Sequence, residues 1–182
     1  MNSSTSAVTA PVRVHALAGG EIALVRQVFD SLSDRSRWRR FHTGVPRLPA
    51  SYLSQLANVV PGERVVLLAM AGARPLGHGE WTRDRGQRHT AEIALTVVDD
   101  LHGQGIGLML ADALASAASH AGVHRFACHT LPSNDPVRRW LARCDAVADP
   151  GDDTRFTFAV ADLRAAIRAH TGSLGYGETA CA

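Results

Sequence analysis

The sequence predicts a single α/β domain, and three observations in the middle of the chain lead to that class. Thr90 to Val98 alternates, with Ala91, Ile93, Leu95 and Val97 on one side and Glu92, Ala94, Thr96 and Val98 on the other, which is the period of a strand. From Ile106 the apolar residues fall at Met109, Leu110, Ala113, Leu114 and Ala117, the spacing of one helix face, and Gly122 is placed to stop the helix. Between strand and helix, Gly103, Gly105 and Gly107 take alternate positions, so the backbone turns sharply and leaves room above its own amides.

The remaining elements follow from the same signals. Pro11 to Leu17 alternates as a short strand that ends at Gly19-Gly20. Glu21 to Leu32 sets Ile22, Val25, Val28, Phe29 and Leu32 at helical spacing, and Ser33 is an N-cap for a second helix reaching Phe41. Arg35, Arg37, Arg39 and Arg40 form a basic cluster around Trp38, which reads either as a solvated face or as a substrate-facing surface. Pro46 and Pro49 mark a loop, and Ser51 to Val59 is a third short helix halted by Pro61-Gly62. Val65 to Met70 and Leu76 to Arg83 form a hairpin over the turn at Ala71 to Arg74. After the central helix come a strand at Phe126 to Leu131, a helix through about Arg143 with Pro136 in its first turn, a strand at Thr154 to Val160 and a helix at Asp162 to His170. Residues 1–10 read as a disordered tail, 11–170 as the one domain and 171–182 as a flexible C-terminal tail.

Composition removes several classes of function. The chain has 182 residues, 46% of them hydrophobic, enough for a substantial core. Its 19 basic residues, all arginine, against 17 acidic ones leave a net charge of +2, too balanced to argue for nucleic-acid binding. Cys128, Cys144 and Cys181 follow no disulfide or zinc spacing, which fits a reducing compartment and no metal. No apolar run approaches membrane-spanning length and the N-terminus has no signal-peptide pattern, so a cytoplasmic protein is expected.

The glycine turn carries the chemistry. Its glycines sit at a helix N-terminus, where free N–H groups and the positive end of the helix dipole favour phosphate oxygens. A dinucleotide fingerprint fails because Leu108 stands at the third glycine position, and a P-loop fails because the chain has no lysine. The run Val98-Asp99-Asp100-Leu101-His102-Gly103-Gln104-Gly105-Ile106-Gly107-Leu108 resembles the acetyl-CoA signature of the GNAT N-acetyltransferases, [Gln/Arg]-x-x-Gly-x-[Gly/Ala], with His102 where that family usually has Gln or Arg. Leu24 to Leu56 is similar to the first part of the GNAT domain in bacterial protein lysine acetyltransferases.

That resemblance implies a mixed central sheet of about six to seven strands flanked by helices, with a splayed parallel pair that receives the pantetheine arm of CoA. It implies Val97, Val98, His102, Gly103, Gln104, Gly105, Ile106, Gly107 and Leu108 as the cofactor-binding run, and Asn134 as a pantetheine contact or a helix cap. Ala91-Glu92-Ile93-Ala94 matches the strand on which the lysine acetyltransferases carry their general base, so Glu92 is the catalytic candidate and Glu80 the reserve. Burial in the splay would raise the pKa of Glu92. The family's Tyr, which protonates the departing thiolate, has no counterpart, since Trp140 and Leu141 lie there, and His78, His89, His124 and His129 read as ordinary polar or packing residues. The implied activity is transfer of an acetyl group from acetyl-CoA to a primary amine, foremost a protein lysine, by a monomer or homodimer. Transfer to a small-molecule amine and a non-catalytic acyl-CoA sensor are the alternatives.

Overall fold

In the computed structural model, which describes residues 10–18, 21–42, 44 and 46–173, strands and helices follow one another in the order β1 (Val12–Ala16), α1 (Ile22–Asp30), α2 (Asp34–Phe41), α3 (Ala50–Ala57), β2 (Arg64–Ala71), β3 (Arg74–Arg83), β4 (Thr90–Val97), α4 (Ile106–His120), β5 (Arg125–His129), α5 (Asp135–Arg143), β6 (Val147–Asp149), β7 (Asp152–Ala159) and α6 (Val160–Ser173). The seven strands form one sheet in the order β1-β2-β3-β4-β5-β7-β6. Neighbours run antiparallel except β4 and β5, which are parallel. The expected α/β class and mixed sheet of six to seven strands are therefore present.

Helix α4 covers one face through Ile106, Leu110, Leu114, Ala115 and Ala118, all buried. It reaches the sheet over Gly77 and Gly79: a Cβ at Gly79 would lie 2.9 Å from Leu114 Cδ1, and one at Gly77 only 2.8 Å from the Thr96 carbonyl. Each such buried leucine contributes roughly 1.5–3 kcal/mol. The helix stops as the sequence predicts. Gly122 adopts φ 73, its N–H donates to Ser119 O at 3.1 Å, and Val123 N–H donates to Ala118 O at 2.9 Å, the paired bonds of a Schellman end.

Helices α1, α2 and α3 cover the other face. Ser33 caps α2, accepting from Ser36 N–H at 3.2 Å. The Asp99 carboxylate, just past the end of β4, accepts from Ser33 N–H at 2.8 Å and from the Ser36 hydroxyl at 2.6 Å, which ties α2 to the strand. Under this layer Glu80 is buried and accepts from Arg40 (2.7 Å), the Tyr52 hydroxyl (2.7 Å) and both Arg64 Nε (3.1 Å) and Nη2. Four residues on α2, α3, β2 and β3 are thus joined at one carboxylate.

Some sequence expectations change. Strand β6 was not anticipated, because three residues are too few to show alternation. Helix α6 begins directly at the end of β7 and runs to Ser173 rather than His170. The basic cluster of α2 is largely internal: Arg40 pairs with Glu80, and Arg37 donates to the carbonyls of Phe29 and Asp30 while lying over the Phe29 ring. Gly19-Gly20, Cys181 and nearly all of both expected tails lie outside the described residues. No helix among the described residues is long and apolar enough to cross a membrane.

Candidate active site

Parallel strands need continuous slanted pairing to close their edges, and β4 and β5 lack it. Their register holds only for Thr90↔Arg125, Ala91↔Phe126 and Glu92↔Ala127, although both strands continue. Val98 N–H donates to Leu76 O at 3.0 Å on the β3 side. Backbone groups alternate in direction along a strand, so those of Val97 and Leu95 face the gap toward β5. Val98 itself has no free backbone group, because its carbonyl accepts from Leu101 N–H at 3.1 Å.

At the far end of this gap the glycine turn leads into α4. Gly103 and Gly105 have φ of 78 and 82, a left-handed conformation that suits only glycine well, and a Cβ at either would meet nothing within 4 Å. Open space therefore lies above both. Neither N–H has a main-chain acceptor among the described residues, and those of Ile106 and Gly107, in the first turn of α4, have none within the helix. Gly107 is in ordinary contact with Val97 and Leu95, 3.8 and 3.9 Å from a Cβ there. Leu108 N–H donates to Gly105 O at 3.0 Å, and Met109 N–H begins the regular ladder at the same carbonyl at 3.1 Å. Gln104 folds back, its amide 3.3 Å from Asp100 O, and His102 Nε2 lies 2.9 Å from Val97 O. The turn therefore leaves N–H groups without main-chain acceptors beside open space at a helix N-terminus, an arrangement suited to an anion.

Glu92 sits at the last paired position before the strands diverge. It is exposed and makes no hydrogen bond or ion pair among the described residues. The shelter expected from the splay is absent at Glu92, although its β5 partner Ala127 is buried. Glu80 is a poor proton acceptor. Burial works against its charge, but His78, Arg40, Arg64 and the Tyr52 hydroxyl outweigh it and hold its pKa down at about 2. His78 is itself pushed down to about 4, chiefly by burial, so at neutral pH the guanidiniums carry the effect.

Asn134 is the N-cap residue of α5, yet its side chain makes no capping bond and remains free for a ligand. At the positions where the family's Tyr would stand, Leu141 is buried and Trp140 packs edge-on to His170 at 6.0 Å. Burial raises the Cys128 thiol to about 12 and the Cys144 thiol to about 11, so neither is reactive. No cluster of metal-ligating side chains occurs among the described residues. A hollow of about 280 Å³ lined by Ser119, His124, Arg164 and Arg168 lies at the opposite end of α4 and includes none of the site residues. One further group has no local signal in the chain: His42, His129 and Asp152 come together at the ends of α2, β5 and β7. Their separation along the chain hides them, and only the register of β5 brings His129 onto the Glu92 face.

Known proteins share this fold. The Acetyltransferase (GNAT) family profile matches residues 27–146. The acetyltransferase Pat of Mycolicibacterium smegmatis is 32% identical over 117 residues, or 63% of this chain, and the chain spans 35% of that relative's length. Among solved structures, the GNAT domain of S. lividans PAT superposes with a TM-score of 0.75 at 24% identity, covering 81% of this chain and 90% of that one. Salmonella typhimurium yncA, solved with its cofactor acetyl-CoA, gives 0.60 at 16% identity, covering 81% of this chain and 91% of that one. At these identities the two structures speak for the fold.

Proposed function

Because the chain belongs to the Acetyltransferase (GNAT) family, we propose that it transfers an acetyl group from acetyl-CoA to a primary amine, foremost a protein lysine, with Glu92 as general base. One observation carries this reading: the β4/β5 ladder stops after three pairs, with a free carboxylate at the point of divergence and an open glycine cradle at the other end of the same strand. From Glu92 to Val98 the strand covers roughly 20 Å at about 3.3 Å per residue. That span matches an extended pantetheine arm, so a donor whose pyrophosphate rests on Gly103 to Gly107 presents its thioester beside Glu92.

Acetyl-CoA supplies the activated acyl carbon; the chain holds and deprotonates. The amides of Gly103, Gly105, Ile106 and Gly107 take the pyrophosphate, the backbone of Leu95 and Val97 pairs with the pantetheine, and the free Asn134 amide holds the arm from the β5 side. A lysine amine has a reference pKa near 10.4, so making it neutral at pH 7 costs about 4.6 kcal/mol. Glu92 takes a proton from the amine directly or through one water, which makes attack on the thioester carbonyl feasible. Gap-side backbone N–H groups of β4 close to Glu92 stabilise the oxyanion that forms. The cytoplasm, where acetyl-CoA and free thiols coexist, is the fitting compartment.

The test is incubation of the protein with acetyl-CoA and a panel of lysine-containing proteins and peptides, with CoA release and acceptor mass as readouts. Acetylated lysines with stoichiometric CoA release support the reading. Preferred acetylation of polyamines or aminoglycosides would establish a small-molecule acceptor instead, and CoA binding without transfer to any amine would leave a sensor.

A further inference from the structure

Amide formation from an ammonium removes two protons from nitrogen, and Glu92 accounts for one. The other needs a second acceptor on the same side of the sheet. His129 is the last residue of β5, two positions beyond Ala127, the partner of Glu92. Residues two apart on a strand share a face, which sets His129 on the Glu92 side, about 7 Å further along β5. Its side chain is 37% exposed, so protons can reach solvent from it.

The Nδ1 side of the imidazole faces Thr154 and Asp152. Its Nδ1 lies 3.5 Å from Thr154 Oγ1 and 3.8 Å from Asp152 Oδ2. The Thr154 hydroxyl donates its proton to Asp152 Oδ1 at 2.6 Å, and Thr154 N–H donates to the same oxygen at 2.9 Å. Oγ1 is left with only lone pairs to offer His129, so Nδ1 carries the hydrogen and Nε2 the lone pair, turned away from Asp152. Thr130 N–H donates to Thr154 O at 2.8 Å and fixes this end of β7 to β5.

The rest of the surroundings belong to the mouth of the gap. His42, the C-cap of α2 at φ 54, brings its ring 6.5 Å from that of His129 at 75°. Arg39 reaches Ser133 O at 3.4 Å, which draws the end of α2 against the loop before Asn134. The charged groups facing His129 are Asp152, His42 and its cross-strand neighbour Arg155, whose guanidinium is held by Asp149 at 3.1 Å. Burial, His129 and Arg40 lower the proton affinity of His42.

We propose that His129, oriented through Thr154 and Asp152, is the second proton acceptor of the reaction. The inference rests on the amine-acetylation reading. An ammonium at the mouth gives one proton to Glu92. The freed lone pair forms the N–C bond, and the C–S bond breaks with its electron pair leaving on sulfur. The second nitrogen proton passes to His129 Nε2 and from the imidazolium to solvent, while Glu92 gives its proton to the thiolate, so one proton is released per turnover.

The test measures kcat and KM with acetyl-CoA and a lysine peptide for wild type, Glu92→Gln, His129→Ala, His129→Gln and Asp152→Asn, with and without added imidazole. His129→Ala should lose about tenfold or more in kcat with unchanged KM for acetyl-CoA, and imidazole should restore much of the loss. Asp152→Asn should lose less, gain nothing from imidazole and shift the acid limb of the pH profile. His129→Gln, which keeps bulk and polarity, should match His129→Ala in rate while melting with wild type. A His129→Ala or His129→Gln enzyme within twofold of wild type overturns the proposal and leaves the amine reading intact, as does a loss that imidazole does not relieve. A wild type that acetylates no amine, with Glu92→Gln indistinguishable from it, overturns both.

Discussion

His102 Nε2 lies 2.9 Å from the carbonyl oxygen of Val97, and this contact joins the glycine turn to the end of the strand it follows. The imidazole N–H therefore does at the base of the turn what a longer amide or guanidinium side chain would do, and it fixes the cradle before any ligand arrives. His102→Gln should keep CoA affinity within about threefold by preserving a donor to Val97. His102→Ala leaves that carbonyl without its partner, which costs about 1–3 kcal/mol, and should weaken CoA roughly tenfold or more in isothermal titration.

Gly105 has φ 82 in a left-handed conformation with nothing within 4 Å of a built Cβ. Gly105→Val meets no clash, but it takes a conformation that a β-branched residue rarely adopts and fills the space above the amides. The protein should stay folded by circular dichroism while the thermal shift on adding acetyl-CoA disappears. A Gly62→Val change, at a left-handed glycine far from the cradle (φ 79), should reproduce the strain without the loss of binding.

Acid should unfold the protein in two stages, with signs set by two buried groups. Glu80 falls from its ordinary value of 4.5 to about 2 in the folded state. Its contribution, on the order of 3 kcal/mol, is complete above pH 4.5 and lost as pH falls toward 2. His78 falls from 6.5 to about 4. The unfolded chain therefore binds the extra proton between those values, and stability declines with falling pH across that window. Urea midpoints measured from about pH 7.5 down to 3 should drop first below 6.5 and more steeply below 4.5. His78→Gln should remove the first decline.

Removing the Glu80 charge while leaving its arginines exposes how α2 and α3 are held. Glu80→Gln strands Arg40 and Arg64, whose side chains are only 14% and 11% exposed. Breaking such a buried set by removing one partner costs about 3–5 kcal/mol. Denaturant unfolding should show that loss, whereas Arg35→Ala, on an exposed residue of the same helix, should be nearly neutral.

Much of this was legible in the chain. The alternation from Thr90 to Val98 assigned Glu92 and Leu95 to opposite faces because strand periodicity is geometric, and the spaced glycines announced a turn that only their backbone freedom allows. Ser33 and Gly122 acted at the helix ends where their chemistry put them. What stayed hidden depends on long-range pairing. The four-residue set around Glu80 joins positions 40, 52, 64 and 80, and nothing local distinguishes Arg40, which is buried, from Arg35, which is not. The exposure of Glu92 is likewise set by where β4 and β5 stop pairing, which alternation within one strand does not encode.

The most direct measurement pairs CoA release with CoA titration in Glu92→Gln. That substitution keeps shape and removes only the proton acceptor, so transfer to a lysine peptide should fall by about 10²–10⁴ while the Kd for CoA stays within twofold. A Glu92→Gln enzyme that transfers acetyl groups at the wild-type rate would contradict the account.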